Sequence, residues 1–86
     1  MSENIEDQIR SVVGNIRKVR ECRNYTQDYL AMKLGISQNS YSKIELAYTK
    51  ITVEKLVQIA EILQVDLLDL LPPKKDRLVQ LKCQHP

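Results

Sequence analysis

Four polar side chains, Gln38, Asn39, Ser42 and Lys43, lie close together at spacings that share one face of a helix. Glutamine and asparagine amides can bond bidentately to an adenine edge, serine can bond to either edge type, and lysine can approach guanine or a phosphate. The chemistry of such a face is recognition. Nothing comparable supports catalysis. His85 is the single histidine, and Cys22 and Cys83 stand far apart in the chain. Cys83, Gln84 and His85 together lack the further ligands that a zinc site needs. Gly14 and Gly35 are isolated, so no glycine-rich loop cradles a phosphate. An enzyme is therefore not expected, and no metal or cofactor is implied. Cys22 reads as a buried small side chain.

The polar face has to be positioned by the stretch from Gln27 to Leu46, which reads as two short amphipathic helices meeting at Gly35. Leu30, Ala31 and Leu34 form an apolar edge before the glycine, and Ile36, Tyr41 and Ile44 form one after it. Ala31 is small enough to let two helices cross closely. Gly35 can take the left-handed conformation that a tight turn requires at a helix end. This is the pattern of a helix-turn-helix, and it puts Gln38, Asn39, Ser42 and Lys43 on the outside of its second helix.

The remainder of the 86 residues supports a single small domain. Hydrophobic residues make up 43% and charged residues 28%, ordinary globular values, and with four tyrosines as the only aromatics the core must be aliphatic. No apolar run approaches the ~20 residues that span a bilayer. Glu3, Glu6 and Asp7 precede the first basic residue, unlike a secretory signal, so a cytoplasmic location with no membrane association is expected. The net charge is only +2, yet it is unevenly spread. Residues 1–9 carry three acids and no base, residues 10–55 carry nine bases and four acids, and residues 56–86 balance. The positive excess thus coincides with the helix-turn-helix, as a DNA-facing surface requires, although a charge run is more often just a solvated face.

In chain order, residues 4–23 predict the first helix, with Ile5, Ile9, Val12, Ile16 and Val19 as one apolar stripe at helical period. Ser2 or Asn4 caps its start and Asn24 ends it. Gly14 marks a break between an N-terminal extension and the helix proper; by domain, residues 1–10 are an N-terminal extension of helix 1 and residues 11–71 the helix-turn-helix domain. Thr26 caps the second helix, Ser37 the third and Thr52 the fourth, whose apolar face comprises Val53, Leu56, Val57, Ala60 and Leu63. Asp66 opens a very short fifth helix that Pro72 and Pro73 stop. No strand-forming alternation precedes the prolines, so the fold class is all-α. Residues 72–86 form a tail that reads as a frayed terminus, with a short strand or helix as the alternative.

This order of helices resembles the Cro and phage-repressor type of helix-turn-helix protein, the λ-repressor-like or XRE family. The likeness covers about residues 11–71. It rests on Thr26 and Gln27 opening helix 2, on Leu30 with Ala31, on Gly35-Ile36-Ser37, on Ser42-Lys43-Ile44-Glu45, and on Val65-Asp66-Leu67 before a pair of leucines. The resemblance implies a five-helix domain in which Arg20 and Glu45 form a buried ion pair tying helix 1 to helix 3. It also implies that Gln27 holds a phosphate and braces helix 3, that Gln38, Asn39 and Ser42 face the major groove, and that Lys43 and Lys50 lie near phosphates or guanine edges. Tyr48 is a further phosphate candidate through its hydroxyl. Ser37 stands among the candidate DNA contacts but reads better as a cap, Ser40 as a packing position, and Tyr41 as core.

The sequence departs from the family at Leu46, where a polar residue is usual, at Ala47 and near Gln64, where glycine is usual, and near Thr52, where proline is usual. An alanine held in the left-handed region costs roughly 1–2 kcal/mol, so the loop after helix 3 is expected to take a different shape. The function implied is sequence-specific binding of double-stranded DNA by a small transcriptional regulator, a repressor. The alternative is an antitoxin or protein-interaction module whose partner is a toxin or a polymerase. Since one recognition helix reads few base pairs, a homodimer on a palindromic operator is expected, pairing through the start of helix 1, helix 5 or the tail.

Overall fold

The computed structural model describes residues 4–72, and these form five α-helices with no strand among them: α1 Ile5–Cys22, α2 Gln27–Leu34, α3 Gln38–Glu45, α4 Val53–Leu63 and α5 Leu67–Leu70. The alternatives considered for the tail, and Ser2 as a cap, lie outside the described residues.

The first four helices begin in the same way. Asn4, Thr26, Ser37 and Thr52 are each extended, and each side-chain oxygen accepts the amide of the residue three positions on, at 2.7–3.0 Å. Those bonds satisfy amides that the helix itself leaves without partners. Asp66 precedes α5 without a side-chain cap bond.

The same four helices also end alike. Asn24, Gly35, Ala47 and Gln64 all lie in the left-handed region, at φ between 61° and 75°. The following amide in each case reaches back five residues: Tyr25 to the Arg20 carbonyl, Ile36 to Ala31, Tyr48 to Lys43 and Val65 to Ala60, at 2.9–3.1 Å. This is the Schellman turn, in which the residue after the left-handed one is often apolar, as all four are here. The loop after α3 therefore keeps the family's left-handed turn even though its glycine is replaced by Ala47. The expected change of shape does not occur: the Ala47 and Tyr48 amides bond back to the Ile44 and Lys43 carbonyls across about 1–2 kcal/mol of local strain.

α2 packs most extensively on α3 and next on α4, while α1 lies across α3, α4 and α5. The core gathers Ile16, Leu30, Tyr41, Ile59, Leu63 and Leu70, all fully buried, with Val12, Val19, Ala31, Ile44 and Ala60 around them. Two predicted apolar faces are only partly used. Ile5 is 73% exposed and Ile9 is also exposed, since the first turns of α1 project beyond the neighbouring helices. On α4, Val53 and Val57 face solvent while Ile59 takes a central place in the core. α1 runs unbroken through Gly14, where a Cβ would meet nothing within 4 Å, so the predicted break is absent.

Cys22, expected as a buried small side chain, is exposed at the end of α1. No described helix is long and apolar enough to cross a membrane.

Candidate nucleic-acid interface

The second helix of the helix-turn-helix is fixed from behind by a buried polar network. Arg20 reaches from α1 and donates to both carboxylate oxygens of Glu45 on α3, with Nε–Oε2 at 2.7 Å and Nη2–Oε1 at 3.1 Å. Its remaining nitrogen, Nη1, donates to the Tyr25 carbonyl at 2.9 Å. The Tyr41 hydroxyl donates to Glu45 Oε2, and Gln27 at the start of α2 donates to Oε1 at 3.1 Å. Glu45 thus accepts four hydrogen bonds from three side chains, and its own side chain is only 3% exposed. Its planar carboxylate matches the guanidinium fork, the geometry in which a buried ion pair recovers its desolvation cost.

The titration behaviour follows from that arrangement. Burial by itself pushes the Glu45 pKa up, but the hydrogen bonds from Arg20, Tyr41 and Gln27 outweigh it and hold the carboxyl below its ordinary value. Glu45 in turn holds Arg20 above its ordinary value, chiefly through the hydrogen bond between them. Burial raises the Tyr41 hydroxyl, and the adjacent carboxylate raises it further.

With α3 held in this way, its other face is open. Gln38, Asn39 and Lys43 are exposed, Ser42 is half-buried beside them, and none of the four side chains is engaged by another described residue. Lys50 and Tyr48 extend from the loop after α3, both exposed and with their side chains likewise unengaged. Four of the six lie on α3 and two in the loop that follows it.

The other candidates sit differently. Ser37 uses its hydroxyl to cap α3, accepting the Ser40 amide at 3.0 Å and donating to Ser40 Oγ at 2.9 Å. Ser40 is exposed, so the packing position assigned to it is corrected to a partner of the cap. Gln27 is half-buried with its amide turned onto Glu45, which makes it a brace between α2 and α3. Sequence reasoning missed two long-range ties. Arg23 closes the end of α4, its Nε donating to the Leu63 carbonyl at 2.8 Å and its Nη2 to Gln64 at 3.2 Å. Asn15 donates to the Leu70 carbonyl at 3.1 Å and ties α5 to α1. A basic residue just before a helix-ending asparagine gave no signal that it would serve a different helix.

A recognition helix with an open polar face, braced by the helix before it, defines the class of helix-turn-helix DNA-binding domains. The chain matches the family described as Helix-turn-helix over residues 16–70. It belongs to that family, in its λ-repressor or XRE branch, and is a DNA-binding regulator of the helix-turn-helix kind. Neither the curated proteins nor the solved structures provide a match.

Proposed function

We propose that the chain is a transcriptional repressor of the cytoplasm that reads a specific double-stranded DNA sequence by laying α3 in the major groove. The observation that carries this reading is the contrast between the buried network behind α3 and the unengaged side chains in front of it. Gln38, Asn39 and Ser42 read base edges. Lys43, Lys50 and Tyr48 hold the sugar-phosphate backbone and set the register. Ser37 has its hydroxyl committed to the helix cap and contributes no base contact, while Gln27 acts through Glu45 by keeping α3 at its angle.

One α3 helix covers only a few base pairs, so the working unit is a homodimer on a palindromic operator, with half-sites one helical turn, ~34 Å, apart. Leu68 on α5, 59% exposed, is an apolar side chain available for that pairing. Selection of binding sites from a random duplex pool, followed by sizing of the complex, tests these points together. A two-fold symmetric consensus bound by two chains is the expected result. Failure of the wild-type protein to show salt-dependent affinity for any duplex would remove the proposal.

A further inference from the structure

Outside the helix-turn-helix, the projecting start of α1 lies against the loop that follows α3, and the two enclose an open groove of about 340 Å³. Glu6, Ile9 and Arg10 line one side, and Tyr48, Thr49 and Lys50 line the other. We infer that this groove is a second anchor for the DNA backbone, in which Arg10 and Lys50 grip phosphate from opposite walls. The inference rests on the DNA-binding reading and extends its contact surface beyond the recognition helix.

Three observations support it. The first is charge complementarity: two cations face one acid across the groove, and neither the Arg10 nor the Lys50 side chain is engaged by another described residue. A guanidinium fork with free donors matches a phosphate bidentately, and the Tyr48 and Thr49 hydroxyls beside it are additional donors. The second is continuity. The Tyr48 amide donates to the Lys43 carbonyl at 2.9 Å, so this wall of the groove is folded directly onto the last turn of α3. The third is the construction of α1 itself. Its N-terminal turns leave Ile5 and Ile9 exposed and contribute no residue to the core before Val12, so packing does not account for them. They also precede residue 16, where the family match begins, so the α1 wall of the groove lies outside the matched region while the loop wall lies within it.

Glu6 makes the inference testable, because it opposes the proposed ligand from within the same groove. On the duplex selected by the wild-type protein and on a scrambled duplex, Arg10→Ala should weaken binding roughly three- to tenfold on both. It should also reduce the slope of log affinity against log salt by about one unit. Glu6→Gln should strengthen binding about two- to threefold on both duplexes, because it removes repulsion of the incoming phosphate. Helix content by circular dichroism should be unchanged in both variants. A loss of helix stability would lower the helix content, and a mere change of net charge would leave the salt slope nearly unaltered, so the one-unit fall in slope with Arg10→Ala at intact helix content identifies a contact. Normal salt-dependent binding by wild type, together with wild-type affinity and slope in both variants, would overturn the anchor and leave the groove to a protein partner. Absence of any duplex binding by wild type would instead overturn the DNA reading itself.

Discussion

The two faces of α3 are built on opposite rules. Inward, Tyr41 and Ile44 are buried, and the Glu45 carboxylate has partners from α1, α2 and α3 itself. Outward, Gln38, Asn39 and Lys43 are exposed and their side chains are left unengaged by the rest of the described chain. A buried charge is tolerated only when its hydrogen-bonding capacity is filled, and removal of one partner leaves the other stranded at several kcal/mol. An exposed amide or ammonium group with unfilled capacity costs nothing in water and is free to exchange solvent for a base edge or a phosphate. Eight residues therefore carry stability on one side and recognition on the other, and the two should respond separately to substitution.

The largest effect is expected on the inner face. Glu45→Ala leaves the Arg20 guanidinium buried without its counter-charge and should cost about 3–5 kcal/mol in denaturant unfolding, a large part of the stability of a domain this size. A cost below about 1 kcal/mol would mean that the network is no more than a surface pair. Acid should expose the same interaction. The Glu45 pKa is lowered in the folded state, so its contribution is complete above the ordinary glutamate range and is lost as pH falls through the lower folded value. The gap in Tm between wild type and Glu45→Gln should hence be widest near neutral pH and close as pH falls below the ordinary glutamate range. A gap independent of pH would show that the carboxylate charge is not what holds α3.

Smaller effects sharpen the boundary between the faces. Ala47→Gly relieves a left-handed alanine but adds freedom to the unfolded chain, for a net gain of about 0.5–1 kcal/mol by denaturant melts. On the outer face, Gln38→Ala should leave stability within about 0.5 kcal/mol of wild type and relax base preference at one operator position. Lys43→Ala should be equally neutral for folding, weaken all duplexes alike and reduce the salt slope by about one unit. Loss of stability in either outer-face variant would break the separation.

Much of this architecture was legible in the chain because it depends on local rules. Asn4, Thr26, Ser37 and Thr52 announce helix starts through side chains that bond three residues ahead, within reach of the local sequence. Gly35 and Asn24 announce turns through their tolerance of positive φ. What was not legible depends on neighbours. The periodicity of α1 includes Ile5 and Ile9 in its stripe on the same terms as Ile16, and only the placement of the other helices leaves the first two uncovered. Val53 misled in the same way, because a helix has a wider apolar arc than its partners cover. The tie from Arg23 to the end of α4 spans 40 residues and has no sequence periodicity to reveal it.

For the recognition surface, the sequence by itself determined which side chains share the outer face of α3, since helical period alone puts Gln38, Asn39, Ser42 and Lys43 together. It also determined that the turn before α3 would be tight, because glycine accepts the left-handed conformation without strain. Only the folded structure decided the shape of the turn after α3, where backbone bonds from the Ala47 and Tyr48 amides hold Ala47 in a conformation that its own side chain disfavours. It decided as well that the Gln27 amide is turned inward onto Glu45, and that the groove between α1 and the loop exists at all. The physical reason is the same for each: local preferences are worth about a kcal/mol per residue, and the bonds and packing of the folded chain add up to more.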